Sequence, residues 1–136
     1  MPPRVLIVSA PHRQSRLLEF LEGRAFQVDC ATGLLDAVVR VGGADYRYDL
    51  FLVDAELDDG SWQEFVQFSQ NFETAVPAIV SARLGDHQLW TEVLENGGYD
   101  LIVEPYVEQE VMRILEGALN HQSVPRSTRS VLEGSS

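Results

Sequence analysis

The chain has 136 residues, 45 % apolar and 23 % charged, which suits one domain with a buried core. All ten basic residues are arginine, so a Walker phosphate loop and lysine Schiff-base chemistry are excluded. Acids outnumber bases 21 to 10, and a net charge of −11 argues against direct nucleic-acid binding by this segment.

The single cysteine, Cys30, excludes an internal disulfide. No apolar run approaches the ~18 residues of a membrane span, and Met1-Pro2-Pro3-Arg4 has no signal-peptide core, so no membrane partner and a cytoplasmic location are expected.

Val5–Val8 is an apolar run of strand type, stopped at Ser9-Ala10-Pro11. A helix is expected over Arg13–Glu22, with Leu17, Phe20 and Leu21 inward and Gly23 as its stop. Phe26–Cys30 predicts a second strand. Thr32 can cap a helix carrying Leu35, Val38 and Val39, closed by Gly42-Gly43. Leu50–Val53 is a third strand, ended by Asp54. Asp58-Asp59-Gly60 is a turn signal, and Ser61 opens a segment carrying Trp62, Phe65, Val66 and Phe68. A fourth strand follows Pro77 over Ala78–Ser81. Asp86 can cap a helix with Leu89, Val93 and Leu94 on one side. Leu101–Val103 is a fifth strand before Glu104-Pro105. A last helix runs over Val107–Asn120 with Val111, Ile114 and Leu115 inward.

Strands and helices in strict alternation with short connections predict an α/β fold, a three-layer αβα sandwich on a five-stranded parallel sheet. Right-handed crossovers favour the flavodoxin-like order 2-1-3-4-5. Residues 1–120 form the expected domain, and the polar, Ser-rich stretch 121–136 reads as a linker or tail. Without that tail the charge is −12.

In such a sheet ligands bind beyond the carboxyl ends of the strands, where the strand order reverses. Ser9, Ala10, Pro11 and His12 follow the first strand and Asp54 the third, with Ser81 and Glu104 on the same rim. Asp54 is the ionisable residue at the centre.

Asp49-Leu50-Phe51-Leu52-Val53-Asp54-Ala55-Glu56-Leu57-Asp58-Asp59-Gly60 resembles the phospho-acceptor segment of receiver domains in two-component response regulators. Arg4–Val8 resembles their first strand, Ser81-Ala82 their hydroxyl residue and alanine, and Tyr99–Tyr106 the segment ending in Lys-Pro-Phe. The resemblance covers residues 4–119 and implies Asp54 as the phospho-acceptor position, Ser81 as the hydroxyl position, and a histidine kinase and an output domain as partners.

The departures from that pattern bear on function. Receivers hold Mg²⁺ with two acidic residues after the first strand, and Ser9 and Ala10 stand there. That leaves Asp54, a carbonyl at Glu56 and water, so no metal is expected unless the site is functional. Glu104 replaces the lysine that pairs with the phosphoryl oxygens, and Leu101 replaces the switch aromatic. Two unit charges ~4 Å apart at an effective dielectric of ~20 repel by about 4 kcal/mol, so Glu104 opposes a phosphoaspartate. Arg83 is the nearest candidate replacement cation.

Each residue also has an ordinary structural reading. Asp54 is either an acceptor or a loop cap; Glu56, Asp58 and Asp59 are either a cation site or an exposed acidic turn. Glu104 either approaches Asp54 or lies solvated on the rim. His12 reads as a surface residue, Cys30 as a small core residue, and Trp62, Phe65 and Phe68 as helix core. Tyr106 and Trp90 fall either in the core or on a partner-facing surface.

The expected function is that of a pseudo-receiver: a regulatory or protein-interaction module, not an enzyme, acting through a homodimer or an output domain. One alternative is a phospho-accepting receiver at Asp54 with atypical partners. Another is a small nucleotide-binding α/β protein, although Ser9-Ala10-Pro11-His12-Arg13-Gln14 lacks the Gly- and Thr-rich turn of flavodoxins. Leu132-Glu133-Gly134-Ser135 resembles the opening of the ATPase domain of sigma-54-type activators, and vector-derived residues are the competing explanation.

Overall fold

The computed structural model describes residues 2–44, 47–71 and 76–121. Its elements run β1 (Arg4–Val8), α1 (Pro11–Leu21), β2 (Gln27–Ala31), α2 (Leu34–Gly43), β3 (Leu50–Asp54), α3 (Trp62–Gln70), β4 (Ala78–Ala82), α4 (His87–Glu95), β5 (Asp100–Val103) and α5 (Glu108–His121). The strands form one parallel sheet in the order β2-β1-β3-β4-β5. This is the flavodoxin-like order expected from the alternation. Residues 122–136, with the expected tail and its Leu132–Ser135 resemblance, lie outside the described residues.

The apolar runs build two cores because successive strand side chains point to opposite faces. Leu6, Val8, Phe51, Val53 and Val80 pack with Ala37 of α2, Trp62 and Phe65 of α3 and Val93 of α4. Val5, Ile7, Leu50, Leu52 and Ile79 pack with Leu17 and Leu21 of α1 and with Val111, Ile114, Leu115 and Ala118 of α5. The central strand β3 is buried along its whole length. Each such aliphatic or aromatic side chain contributes about 1.5–3 kcal/mol of burial free energy. Cys30 lies half-buried on β2 against the second core, where burial pushes its thiol pKa up.

Two helices sit in a different rotation from the expected one. Leu35 and Val39 of α2 are exposed, while Ala37 is buried and Leu34 and Val41 pack on the core. The sequence Leu34-Leu35-Asp36-Ala37-Val38-Val39 is apolar almost all round, so its periodicity does not select a face. On α4 Val93 is the buried residue and Leu94 faces outward. Val103 also emerges at the end of the edge strand β5.

The helix starts differ in chemistry. Ser61 and Glu64 form a reciprocal capping box on α3, and Asp86 caps α4 as expected. The start of α2 corrects the expected Thr32 cap: Gly33 is the N-cap residue and has no side chain to offer. Asp59, from the loop after β3, accepts the Leu34 and Leu35 N–H groups at 2.7 and 3.0 Å. A Cβ on Gly33 would run into that carboxylate, so glycine permits the close approach. Asp59 is therefore a cap delivered from another loop.

Those backbone donors hold the Asp59 carboxyl below the usual carboxylate range. A depressed folded-state pKa contributes stability above the unfolded value, which is lost as pH falls through the folded one. Asp59→Ala is expected to lower unfolding free energy by about 1 kcal/mol at neutral pH, with a smaller difference in acid. Urea denaturation at pH 7 and pH 3 checks both.

Candidate functional site

The parallel register brings the carboxyl ends of β1, β3 and β4 together. Asp54 is the last residue of β3 and lies opposite Ser81 of β4. Ser9, directly after β1, is fully buried beside it, and its hydroxyl donates to Asp54 Oδ2 at 3.1 Å. Gln14 braces the rim by donating to the Ser9 and Ala31 carbonyls at 2.8 and 3.2 Å. Of the expected rim residues, Ser9, Asp54 and Ser81 are brought together, and Ala10 is buried next to them.

The cation at Asp54 is Arg13. Its Nε donates to Oδ2 at 2.5 Å and its Nη2 to Oδ1 at 3.1 Å, a two-point pairing of guanidinium with carboxylate. The Glu56 backbone N–H donates to Oδ1 at 2.9 Å. With the Ser9 hydroxyl these donors take all four lone-pair positions of the carboxylate. The pair is nearly dry, at 12 % exposure for the Arg13 side chain and 3 % for Asp54. The hydrogen bond that Arg13 donates to Asp54 leads the effects that raise the Arg13 pKa further above its usual value.

The expected alternative cation, Arg83, points elsewhere. It lies 61 % exposed and pairs with Glu56 at 3.3 Å, while Arg13 Nη1 reaches the same carboxylate at 3.5 Å. Glu104, weighed between an approach to Asp54 and a solvated rim position, is 15 % exposed and pairs with Arg16 at 3.9 Å. The Tyr106 phenol, beside Ser81, is pushed up to about 12 by burial first and by the Glu104 charge second. Tyr106 is half-buried with its ring edge-to-face on Phe20. Trp90 is 41 % exposed and donates its indole N–H to Asp100. Leu101 is buried beneath that surface, and His12 is exposed at the rim.

A divalent cation of the kind that the resemblance implies does not fit this donor set. Ser9 and Ala10 bring no carboxylate, and Asp54 spends its lone pairs on Arg13, Ser9 and the Glu56 amide. Glu56 is likewise paired with arginine. Among the described residues no group of three His, Cys, Asp or Glu side chains converges as a metal site. Sequence reasoning missed Arg13 by placing it at the start of a helix. The available signal was position: the first turn of α1 lies directly over the rim that Ser9 begins.

No family model matches the chain. It is 26 % identical over 129 residues to Regulatory protein AtoC of Escherichia coli, a match taking in 93 % of this chain and 27 % of that protein. The chain thus spans about a quarter of the length of that relative. The signal receiver domain of an HD domain-containing protein from Pseudomonas fluorescens superposes with a TM-score of 0.78 at 20 % identity, covering 90 % of this chain and 98 % of that one.

The chain has the receiver fold. A CheY-like response regulator receiver domain from Methanospirillum hungatei gives a TM-score of 0.75 at 18 % identity over 90 % of this chain and 98 % of its own. CheY4 of Vibrio cholerae gives 0.75 at 17 % over 88 % and 100 %. Within this receiver fold, the buried Arg13–Asp54 pair stands at the carboxyl end of the central strand.

Removing one member of a buried ion pair leaves the other charged and desolvated, which costs about 3–5 kcal/mol. Arg13→Ala is expected to destabilise the domain by about 3 kcal/mol. The double variant Arg13→Ala, Asp54→Ala should cost clearly less than the sum of the single changes, read by urea denaturation in a double-mutant cycle.

Proposed function

We propose that the chain is a receiver-type signalling domain of a response regulator in which Asp54 is held out of phosphoryl chemistry. The Arg13–Asp54 pairing carries this reading. A carboxylate that must attack phosphorus needs a free lone pair and cations arranged around the incoming oxygens. Here the lone pairs are engaged and the nearest cation is bound to the nucleophile itself. Ser9, Ala10 and Glu104, at the positions of the acidic pair and the lysine, support the same reading. The domain then acts as a regulatory or interaction module, upstream of an output domain, and a histidine kinase would find no acceptor.

Output runs through the surface of α4, β5 and α5. Exposed Trp90 and Val103 line an open groove of about 530 Å³ there that reaches down to Leu101. Self-association through this face makes a homodimer. Because each copy carries −11, screening by salt should raise the dimer fraction. Sedimentation at 50 and 500 mM salt reads it, and a monomer at both concentrations overturns the homodimer.

The site itself is tested with Mg²⁺ and acetyl phosphate, followed by intact mass, and with beryllofluoride in an amide NMR spectrum. The wild-type domain should stay unmodified and unshifted. Ser9→Asp, Ala10→Asp and Glu104→Lys restore the acidic pair and the lysine but leave the guanidinium in place, so they should gain little. Adding Arg13→Gln to those three should give beryllofluoride-dependent shifts around Asp54. Stoichiometric phosphorylation of the wild type, abolished by Asp54→Ala, would establish a working receiver instead.

A further inference from the structure

We propose that the outward face of α2 is a contact surface for a second copy of this chain, docked antiparallel across a two-fold axis near Val38. The contact uses no residue of α4, β5 or α5, so it stands apart from the homodimer proposed for that face.

The face is apolar and uncovered. Leu35 and Val39 are 69 % and 63 % exposed. Four residues apart, they form a stripe on the side of α2 opposite Leu34, Ala37 and Val41, which pack on the core. The stripe continues to Gly42 and Gly43, both exposed. Neither has the positive φ with which glycine ends helices, and a Cβ on either would meet nothing within 4 Å among the described residues. The packing of this chain therefore does not call for glycine, the least favourable helix residue after proline, at either place. What the glycines provide is bare backbone on the outside, where another helix can come close.

Charge placement selects a second copy as the occupant. Asp36 in the first turn and Arg40 in the last are the charges of α2, so the helix is neutral in a chain of net charge −11. The acidic balance of the rest of the chain repels a second copy, and this helix does not. Both charged residues flank the same side of the stripe. A two-fold axis between antiparallel helices sets each flank against its own equivalent and reverses the order of residues along it. With the axis at Val38, Asp36 of one copy comes level with Arg40 of the other, twice. The same register seats Leu35 of one copy between Val39 and Gly42 of the other.

Both charges have capacity to spare. Arg40 engages Asp36 Oδ1 through Nε at 3.2 Å, which leaves its two Nη groups, among the described residues, to reach a second carboxylate. The pair within one helix can therefore stay while the pair between copies forms. A helix pair with two apolar side chains from each copy falls below the ~1,200 Å² of stable specific interfaces, so the association is weak and concentration-dependent.

The test is sedimentation equilibrium of the 136-residue chain over a concentration series, in a Val103→Glu background that removes the α4-β5-α5 face. Self-association should persist there. Leu35→Arg should weaken it by about tenfold or more and leave thermal unfolding unchanged, since the Leu35 side chain lies outside the core. Asp36→Arg and Arg40→Asp, each made in the same background, should also weaken it, because like charges then face each other. An equimolar mixture of these two variants should recover association, as every charge then meets its opposite across the axis. Loss of the pair within one helix cannot be rescued by mixing.

A Val103→Glu chain that is monomeric at every concentration overturns the proposal. So does association that Leu35→Arg leaves unchanged, or that the mixture fails to recover. Association that Val103→Glu leaves at wild-type strength and Leu35→Arg abolishes supports the α2 contact and counts against the homodimer through α4, β5 and α5.

Discussion

A carboxylate buried at the end of the central strand has to be neutralised by something, and in this protein that something is Arg13. Moving Asp54 out of water is costly unless a cation and several donors replace the solvent. Arg13, the Ser9 hydroxyl and the Glu56 amide do so from three directions. Each donor depends on the fold around it. Ser9 is held by the pairing of β1 with β3, Glu56 by the chain leaving β3, and Arg13 by the seating of α1 through Leu17 and Leu21. The fold and the site are therefore mutually dependent: loosening α1 would expose the pair, and removing the pair would leave α1 without its anchor over the rim.

The same helix is tied to the far side of the rim along a second seam. Arg16 and Phe20 of α1, and Arg24 in the turn that follows it, meet Glu104, Tyr106 and Glu108. Arg24 also lies over the Phe20 ring, 4.5 Å from its centroid, and pairs with Glu108 at 2.8 Å. Tyr106 packs on Phe20 of α1 and lies beside Ser81, which stands opposite Asp54 at the end of β4.

Much of this architecture was legible in the residues. Apolar runs such as Val5–Val8 and Leu50–Val53 can be buried on both faces only in a covered parallel sheet, and the order of the strands followed from crossover handedness. Asp54, Ser9 and Ser81 were placed on one rim by the same logic. The rotation of α2 was not legible, because an apolar helix has no strongly preferred face until its neighbours are in place. Nor was the capping of α2 by Asp59, some 25 residues later, since a cap contributed by a distant loop leaves no local pattern.

Composition, strand runs and turn signals determined the layers, the topology and the identity of the central carboxylate, because all of these follow from local periodicity and backbone hydrogen bonding. The partner of that carboxylate was decided only in three dimensions. Arginine side chains are long, and Arg13, Arg16 and Arg83 all reach the same rim from different positions in the chain. Spacing alone ranks Arg83 beside Ser81. The packing of α1 on the sheet instead puts Arg13 over Asp54 and leaves Arg83 to Glu56, since a buried charge takes the cation that the fold can bring to it with the least exposed path.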